Sequence, residues 1–299
     1  FWENLLDGEN DIIFPEVKKF QLDGESRRKE FKLNSIFPKL ESFKLDGDVA
    51  DVNCLANVKK LKELMLNTDS IEEHQLKNIF ANNVNMTKIF LLEPKMTETM
   101  HSIATYLTKV ETLEVENPGE NFMLRINNNP VYKLPSVTHF NIEFDEDEMD
   151  KIFGIGNLSF DMPRLTKLTL NGDPIDDRII NFIKQFEKLE IVELFSSEYD
   201  TIKFIRKLEH IKEFTTIFYK NGFVSVKELF RDFDKKSELQ TLKFVNDDNF
   251  LHQNYVDTMK EFNEDIMEEI NIHLKKSMKP TWTLSHGETD SDRSKIRDI

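Results

Sequence analysis

A single cysteine, Cys54, stands among 299 residues, so no disulfide can close within the chain. No apolar run approaches the ~18 residues that a membrane span requires, and the sequence therefore offers no segment to cross a bilayer. Basic residues are also short, with 40 Lys and Arg against 55 Asp and Glu and a net charge of −15. Nucleic acid and anionic membrane both reward Lys and Arg through counterion release or surface attraction, so this balance speaks against either as a partner. A basic ligand surface suits it better.

Catalytic signatures are missing as well. There is no phosphate loop, no H-E-x-x-H and no G-x-S-x-G, and Gly154-Ile155-Gly156 is half of a dinucleotide fingerprint without its third glycine. The histidines, at 74, 101, 139, 210, 252, 273 and 286, never form a pair at metal-ligand spacing. The acidic run Asp145-Glu146-Asp147-Glu148 is broken for calcium by Met149 and by the want of a glycine at the sixth position, and reads as a solvated helix start. Cys54 shares an apolar helix face with Val52, Leu55 and Val58, which gives it a packing role rather than a nucleophilic one. No enzyme activity, cofactor or metal is expected.

What the sequence has is repetition. Phe37-Pro38-Lys39-Leu40-Glu41-Ser42-Phe43-Lys44-Leu45-Asp46-Gly47 returns as Phe14-Pro15-Glu16-Val17-Lys18-Lys19-Phe20-Gln21-Leu22-Asp23-Gly24 and as Met162-Pro163-Arg164-Leu165-Thr166-Lys167-Leu168-Thr169-Leu170-Asn171-Gly172. With L for any apolar residue, each copy reads L-x-x-L-x-L. The first apolar position recurs at Val17, Leu40, Leu61, Met86, Val110, Val137, Leu165, Leu189, Ile211 and Leu239. The spacing of about 25 residues lies in the 20 to 29 range of leucine-rich repeats, which stack as units instead of folding around one globular core.

Between the copies, apolar residues fall at helical spacing: Ile179, Phe182, Ile183 and Phe186; Met100, Ile103, Ala104 and Leu107; Val226, Leu229, Phe230 and Phe233; Ile202, Ile205 and Leu208. The expected fold is an α/β solenoid of about ten repeats, with parallel strands on the concave face and helices on the convex one. Its core accounts for the 25 phenylalanines. Residues 1–13 read as an N-terminal cap or the remnant of an upstream domain, 14–276 as the repeat domain, and 277–299 as a polar, disordered tail. Tyr255 to Ile266 reads as a last amphipathic helix and Glu269 to Leu274 as a closing strand. The chain opens on Phe1-Trp2 and not on Met, so residues upstream are expected.

The units resemble the leucine-rich repeats of F-box proteins, and the Phe-Pro-x-Leu opening resembles divergent insect members in particular. Leu165-Thr166-Lys167-Leu168-Thr169-Leu170 followed by Ile175-Asp176-Asp177-Arg178-Ile179 is the nearest match to that family's strand and helix start, with Ile71-Glu72-Glu73 a weaker one. The family's Cys or Asn ladder position is largely missing. The resemblance implies a substrate receptor in a cullin-type ubiquitin ligase, whose Skp adaptor would be held by an F-box upstream of Phe1. Extracellular repeat domains of this kind carry cysteine-bonded caps, so the lack of cysteines favours the cytoplasm or nucleus over a receptor-type, extracellular ligand-binding domain.

Strand period 2 makes three residues of each copy point outward. The resulting candidate protein-binding set is Phe90, Leu92, Glu114, Glu116, His139, Glu143, Ile191, Glu193, Phe195 and Ile217. Phe90, Leu92, Ile191, Phe195 and Ile217 are expected to face solvent as anchors, with Glu114, Glu116 and Glu143 selecting a basic, partly apolar protein or peptide. A register slip of one residue would bury the same side chains.

Overall fold

Short segments of alternating apolar and polar residues, several preceded by a proline or asparagine turn, form strands whose second and fourth residues turn inward. In the computed structural model, residues 13–23, 33–47, 52–67, 73–92, 101–117, 131–144, 159–172, 177–195, 207–217, 238–239, 241–245 and 281–285 are described. The chain divides into two compact units, one formed by Phe1–Thr166 with Phe186–Lys188 and the other by Lys167–Gln185 with Leu189–Ile299.

In the first unit, β1 (Lys19–Asp23), β2 (Ser42–Asp46), β3 (Glu63–Asn67), β4 (Lys88–Leu92), β5 (Thr112–Glu116) and β7 (His139–Glu143) lie side by side in that order. These strands pair parallel and in step, so that Lys19, Ser42, Glu63, Lys88, Thr112 and His139 stand in one row. The second unit repeats the plan with β9 (Lys167–Asn171), β10 (Ile191–Phe195), β11 (Glu213–Ile217), β12 (Thr241–Val245) and β13 (Thr281–Ser285). The second and fourth residues of the strands make the core: Phe43 and Leu45, Leu64 and Leu66, Ile89 and Leu91, Leu113 and Val115, Phe140 and Ile142 in the first unit, Leu168 and Leu170, Val192 and Leu194 in the second. A one-residue slip would have exposed these side chains, and the register is the one the sequence pattern implies.

The same backbone device opens successive strands. The amide of the first apolar residue donates to the carbonyl three residues back, as in Leu40 to Phe37 (3.1 Å), Val137 to Leu134 (3.2 Å), Leu165 to Met162 (3.0 Å) and Ile211 to Leu208 (3.2 Å). The next two amides then share one carbonyl on the preceding strand segment. Glu41 and Ser42 donate to Lys18, Lys62 and Glu63 to Glu41, Glu111 and Thr112 to Thr87, and Lys212 and Glu213 to Glu190. A third device closes the strands: Gly47, Asn117 and Gly172 have φ of 125°, 47° and 141° and donate their amides to the last residue of the following strand at 2.9, 2.8 and 3.0 Å. Only glycine occupies the first and third of these angles without steric cost, whereas asparagine tolerates the second.

Return segments are short. Among the described residues they comprise α1 (Leu33–Ile36), α2 (Glu73–Asn82), α3 (His101–Ala104), α4 (Asp177–Lys184) and a 3-10 helix at Val52–Asn57. Helix α4 buries Ile179, Ile180, Phe182 and Ile183, as its spacing implies, and starts on Asp177 and ends on Lys184, both favourable to the helix dipole. Two expectations need correction. The segment with Cys54 is 3-10 and not α, since Val52, Leu55 and Val58 recur every third residue and three residues make one 3-10 turn; Leu55 and Val58 are buried. Around Met100–Leu107 the helix is one turn long, yet Ile103, Ala104 and Leu107 are still buried.

Two features were not expected. Strands β6 (Val131–Lys133) and β8 (Ser159–Asp161) form a separate parallel pair just ahead of the Leu134 and Met162 turns, with Phe140 packed on Phe160 at 5.5 Å between ring centres. Strand β13 lies inside the stretch read as a tail, pairing Leu242 with Trp282 and Phe244 with Leu284 in register. The expected helices at 202–206, 226–233 and 255–266, the strand at 269–274, the helix start at 70–72, the acidic run at 145–148 and the cap at 1–12 lie outside the described residues. Among the described residues no helix is long and apolar enough to cross a membrane.

Candidate outward face of the strands

The first, third and fifth residues of each strand stand on the face away from the buried row, and neighbours in a row are ~4.8 Å apart. All ten candidate residues occupy these positions. Six lie in the first unit and four in the second, so each unit carries its own face.

In the first unit the middle row runs Gln21, Lys44, Met65, Phe90, Glu114, Asn141 and the third row Asp23, Asp46, Asn67, Leu92, Glu116, Glu143. Phe90 corrects the expectation of solvent-facing anchors, because it is only 5% exposed. A ring with the long side chains of Met65 and Glu114 as register neighbours keeps little surface of its own. The sequence carried a signal for this: Ile89-Phe90-Leu91-Leu92 breaks the alternation, and its three middle positions from Ile89 to Leu91 are all buried. Leu92, the last residue of the strand, is half-buried.

The acids are not equivalent. Glu114 is paired with Lys88 at 3.6 Å and its side chain is 16% exposed. Glu116 and Glu143 are half-buried register neighbours at the strand ends, where like charges side by side repel. Their row begins with a second such pair, Asp23 and Asp46, but Asp46 is held by the Asn67 amide at 2.7 Å and by Lys44 at 3.7 Å. His139 is exposed, with Nδ1 2.9 Å from the Thr138 hydroxyl.

In the second unit Glu193 has both carboxylate oxygens engaged. Lys167 lies 2.9 Å from Oε1, the Thr169 hydroxyl donates to Oε2 at 2.7 Å, and the side chain is 19% exposed. Ile191 and Phe195 flank it on the same strand and are half-buried. Thr215, the register neighbour of Glu193, is buried at 4% exposure, and its hydroxyl has no hydrogen-bond partner among the described residues. Ile217 ends β11; its side chain is outside the described residues.

The lysines were the residues that pattern reading passed over. Lys88 reaches Glu114, and Lys167 reaches Glu193, across the same diagonal, from the first residue of one strand to the third of the next. Their selection needs cross-strand register, which single strands do not reveal. A further ladder runs along the turns before the strands: Glu41 lies between Lys62 at 2.7 Å and Lys18 at 3.3 Å, and Lys39 meets Glu16 at 2.7 Å. The Lys62 hydrogen bond, then that of Lys18, holds the Glu41 carboxyl below its ordinary range. Lys39 does the same for Glu16, and Glu190 raises Lys212.

Chemically these faces offer ion pairs, amides and partly covered apolar groups. Among the described residues no three His, Cys, Asp or Glu side chains converge as metal ligands would. No protein-family model matches the chain, and no curated protein is significantly similar to it.

Proposed function

We propose that the chain is a leucine-rich repeat solenoid of about ten units that acts as a non-enzymatic protein-binding scaffold in the cytoplasm or nucleus, taking its ligand on the outward strand face. The observation that carries this reading is the in-step parallel ladder of each unit, in which each of the ten sequence copies supplies one five-residue strand and therefore three outward side chains. Stacked strands of this kind offer an extended surface for a partner.

The composition of the face favours a basic, partly apolar protein. Glu116 and Glu143 bring two negative charges side by side at the strand ends, and Leu92 stands beside Glu116. Glu114 and Glu193 add negative charge to the same faces, each beside a lysine of its own unit. Together with the F-box resemblance, this composition supports a role as the substrate-recognition part of a ubiquitin ligase adaptor, joined to a Skp adaptor and a cullin through an upstream F-box. The test is affinity purification of the full-length protein from its own cells, with mass spectrometry of the co-purifying chains. Recovery of a Skp adaptor and a cullin supports the ligase role; a stable partner set without them leaves the scaffold and refutes the ligase assignment.

A further inference from the structure

The sheet of the first unit ends at β1. In a parallel ladder alternate residues of a strand bond to the same side. The Lys18 carbonyl accepts from Glu41 and Ser42 at 2.8 and 2.9 Å, so Phe20 and Leu22 continue that series toward β2. The backbone N–H and C=O groups of Lys19, Gln21 and Asp23 consequently point to the other side. No strand pairs with that side among the described residues, and all three residues are exposed.

Apolar cover is thinner here than elsewhere in the sheet. Phe20 and Leu22 are half-buried where Phe43 and Leu45 on the next strand are buried, although Phe20 packs against Phe37 and Phe43 at 4.6 and 6.0 Å between ring centres. Ile13 is 58% exposed, and Phe14 and Val17 are half-buried. Edges with these properties recruit further strands unless charge opposes it.

The order of residues in β1 selects the recruit. Lys19-Phe20-Gln21-Leu22-Asp23 is its own complement when reversed: set antiparallel about Gln21, Lys19 of one copy faces Asp23 of the other and Phe20 faces Leu22. We infer that β1 pairs antiparallel with β1 of a second copy of this chain. The register agrees with the backbone, because the residues that would exchange N–H···O bonds in it, Lys19 with Asp23 and Gln21 with Gln21, are those whose groups point outward. Opposite charges and an aromatic facing an aliphatic group are the favourable cross-strand pairs. Only weak contacts give way: Lys19 to Glu63 at 3.7 Å, both well exposed, and the Gln21 amide to Asp23 at 2.8 Å. A two-fold axis through Gln21 closes the assembly at two copies. One strand edge is small beside the ~1,200–2,000 Å² of a stable interface, so the dimer depends on concentration.

Sedimentation equilibrium of the full chain, from nanomolar to high micromolar, reads this directly. The expected mass rises from one copy to two and stops. Gln21→Pro removes the central amide on the side away from β2, a change an edge strand accommodates, and is expected to weaken association at least ~10-fold. Lys19→Asp sets carboxylates opposite each other and weakens it too, whereas the double swap Lys19→Asp with Asp23→Lys restores wild-type association. A one-copy mass at every concentration overturns the inference. So does a mass that grows past two copies, or a dimer indifferent to Gln21→Pro and not rescued by the double swap.

Discussion

Replacement of Asn83 by alanine probes how adjacent segments are tied together. Asn83 is 3% exposed at the end of α2, where its carboxamide oxygen accepts from the Leu61 amide at 3.1 Å and its NH₂ donates to the Ile79 carbonyl at 2.9 Å. Leu61 and Ile79 are themselves buried, so neither backbone group regains water when the side chain is cut back. An orphaned buried donor or acceptor costs ~1–3 kcal/mol, and the pair together about 2–4 kcal/mol. With a urea dependence of ~2 kcal/mol per molar or more, the unfolding midpoint should fall by roughly 1 M. Asn82→Ala is the matched control, since its exposed NH₂ bonds the Asn78 carbonyl at 3.0 Å in contact with solvent and its loss should cost under ~0.5 kcal/mol. Amide exchange adds a local readout, because the Leu61 N–H should lose protection in Asn83→Ala and keep it in Asn82→Ala. Asn83→Asp should be destabilised at neutral pH, where a carboxylate oxygen faces the Ile79 carbonyl, and recover partly in acid as the carboxyl regains a proton to donate. Equal midpoints for the two alanine variants, with Leu61 still protected, would refute the reasoning.

Gly172→Ala should cost ~1–3 kcal/mol by denaturant titration, because φ of 141° is closed to a residue with a Cβ, while Asn117→Gly at φ 47° should be within ~0.5 kcal/mol of wild type. The Glu41 carboxyl, lowered first by Lys62 and then by Lys18, binds its proton less readily folded than unfolded; its contribution is therefore present above the ordinary value of 4.5 and lost as pH falls below it. In Lys62→Met the Glu41 titration followed by NMR should move back up toward 4.5, and an unchanged titration would discount the ion pair. Lys212, raised by Glu190, runs the other way: its contribution is present below 10.5 and lost as pH rises above it, so Glu190→Gln should lower the Lys212 titration.

The strands were readable because their signal is local. A five-residue segment with apolar second and fourth positions, such as Ser42–Asp46, specifies its own faces, and the ten in-phase copies marked where each begins. The return segments were less legible, since Val52–Asn57 and His101–Ala104 are too short for a spacing of three to be told from one of three and four. Strand β13 was hidden because Lys279 stands where the L-x-x-L-x-L frame of Trp282 and Leu284 needs its first apolar residue, although the alternation of apolar and hydroxyl residues in Thr281-Trp282-Thr283-Leu284-Ser285 is that of a strand. On the outward face, position was legible and exposure was not. Phe90 occupies the row assigned to it, yet its cover depends on which residues of other strands stand beside it. The engagement of Glu114 by Lys88 and of Glu193 by Lys167 depends on the same register.

Glu116 and Glu143, adjacent acids at the strand ends, give the most direct test of protein binding by the strand face. Glu116→Lys with Glu143→Lys should be compared with wild type in quantitative capture from the cognate cells, with circular dichroism as the check on folding. Capture of the principal partner is expected to fall at least ~10-fold for the doubly reversed chain and to stay near wild type for Lys18→Glu with Lys62→Glu, which alters the turn ladder instead. Undiminished capture by a folded Glu116→Lys, Glu143→Lys chain would contradict the assignment of this face as the ligand surface.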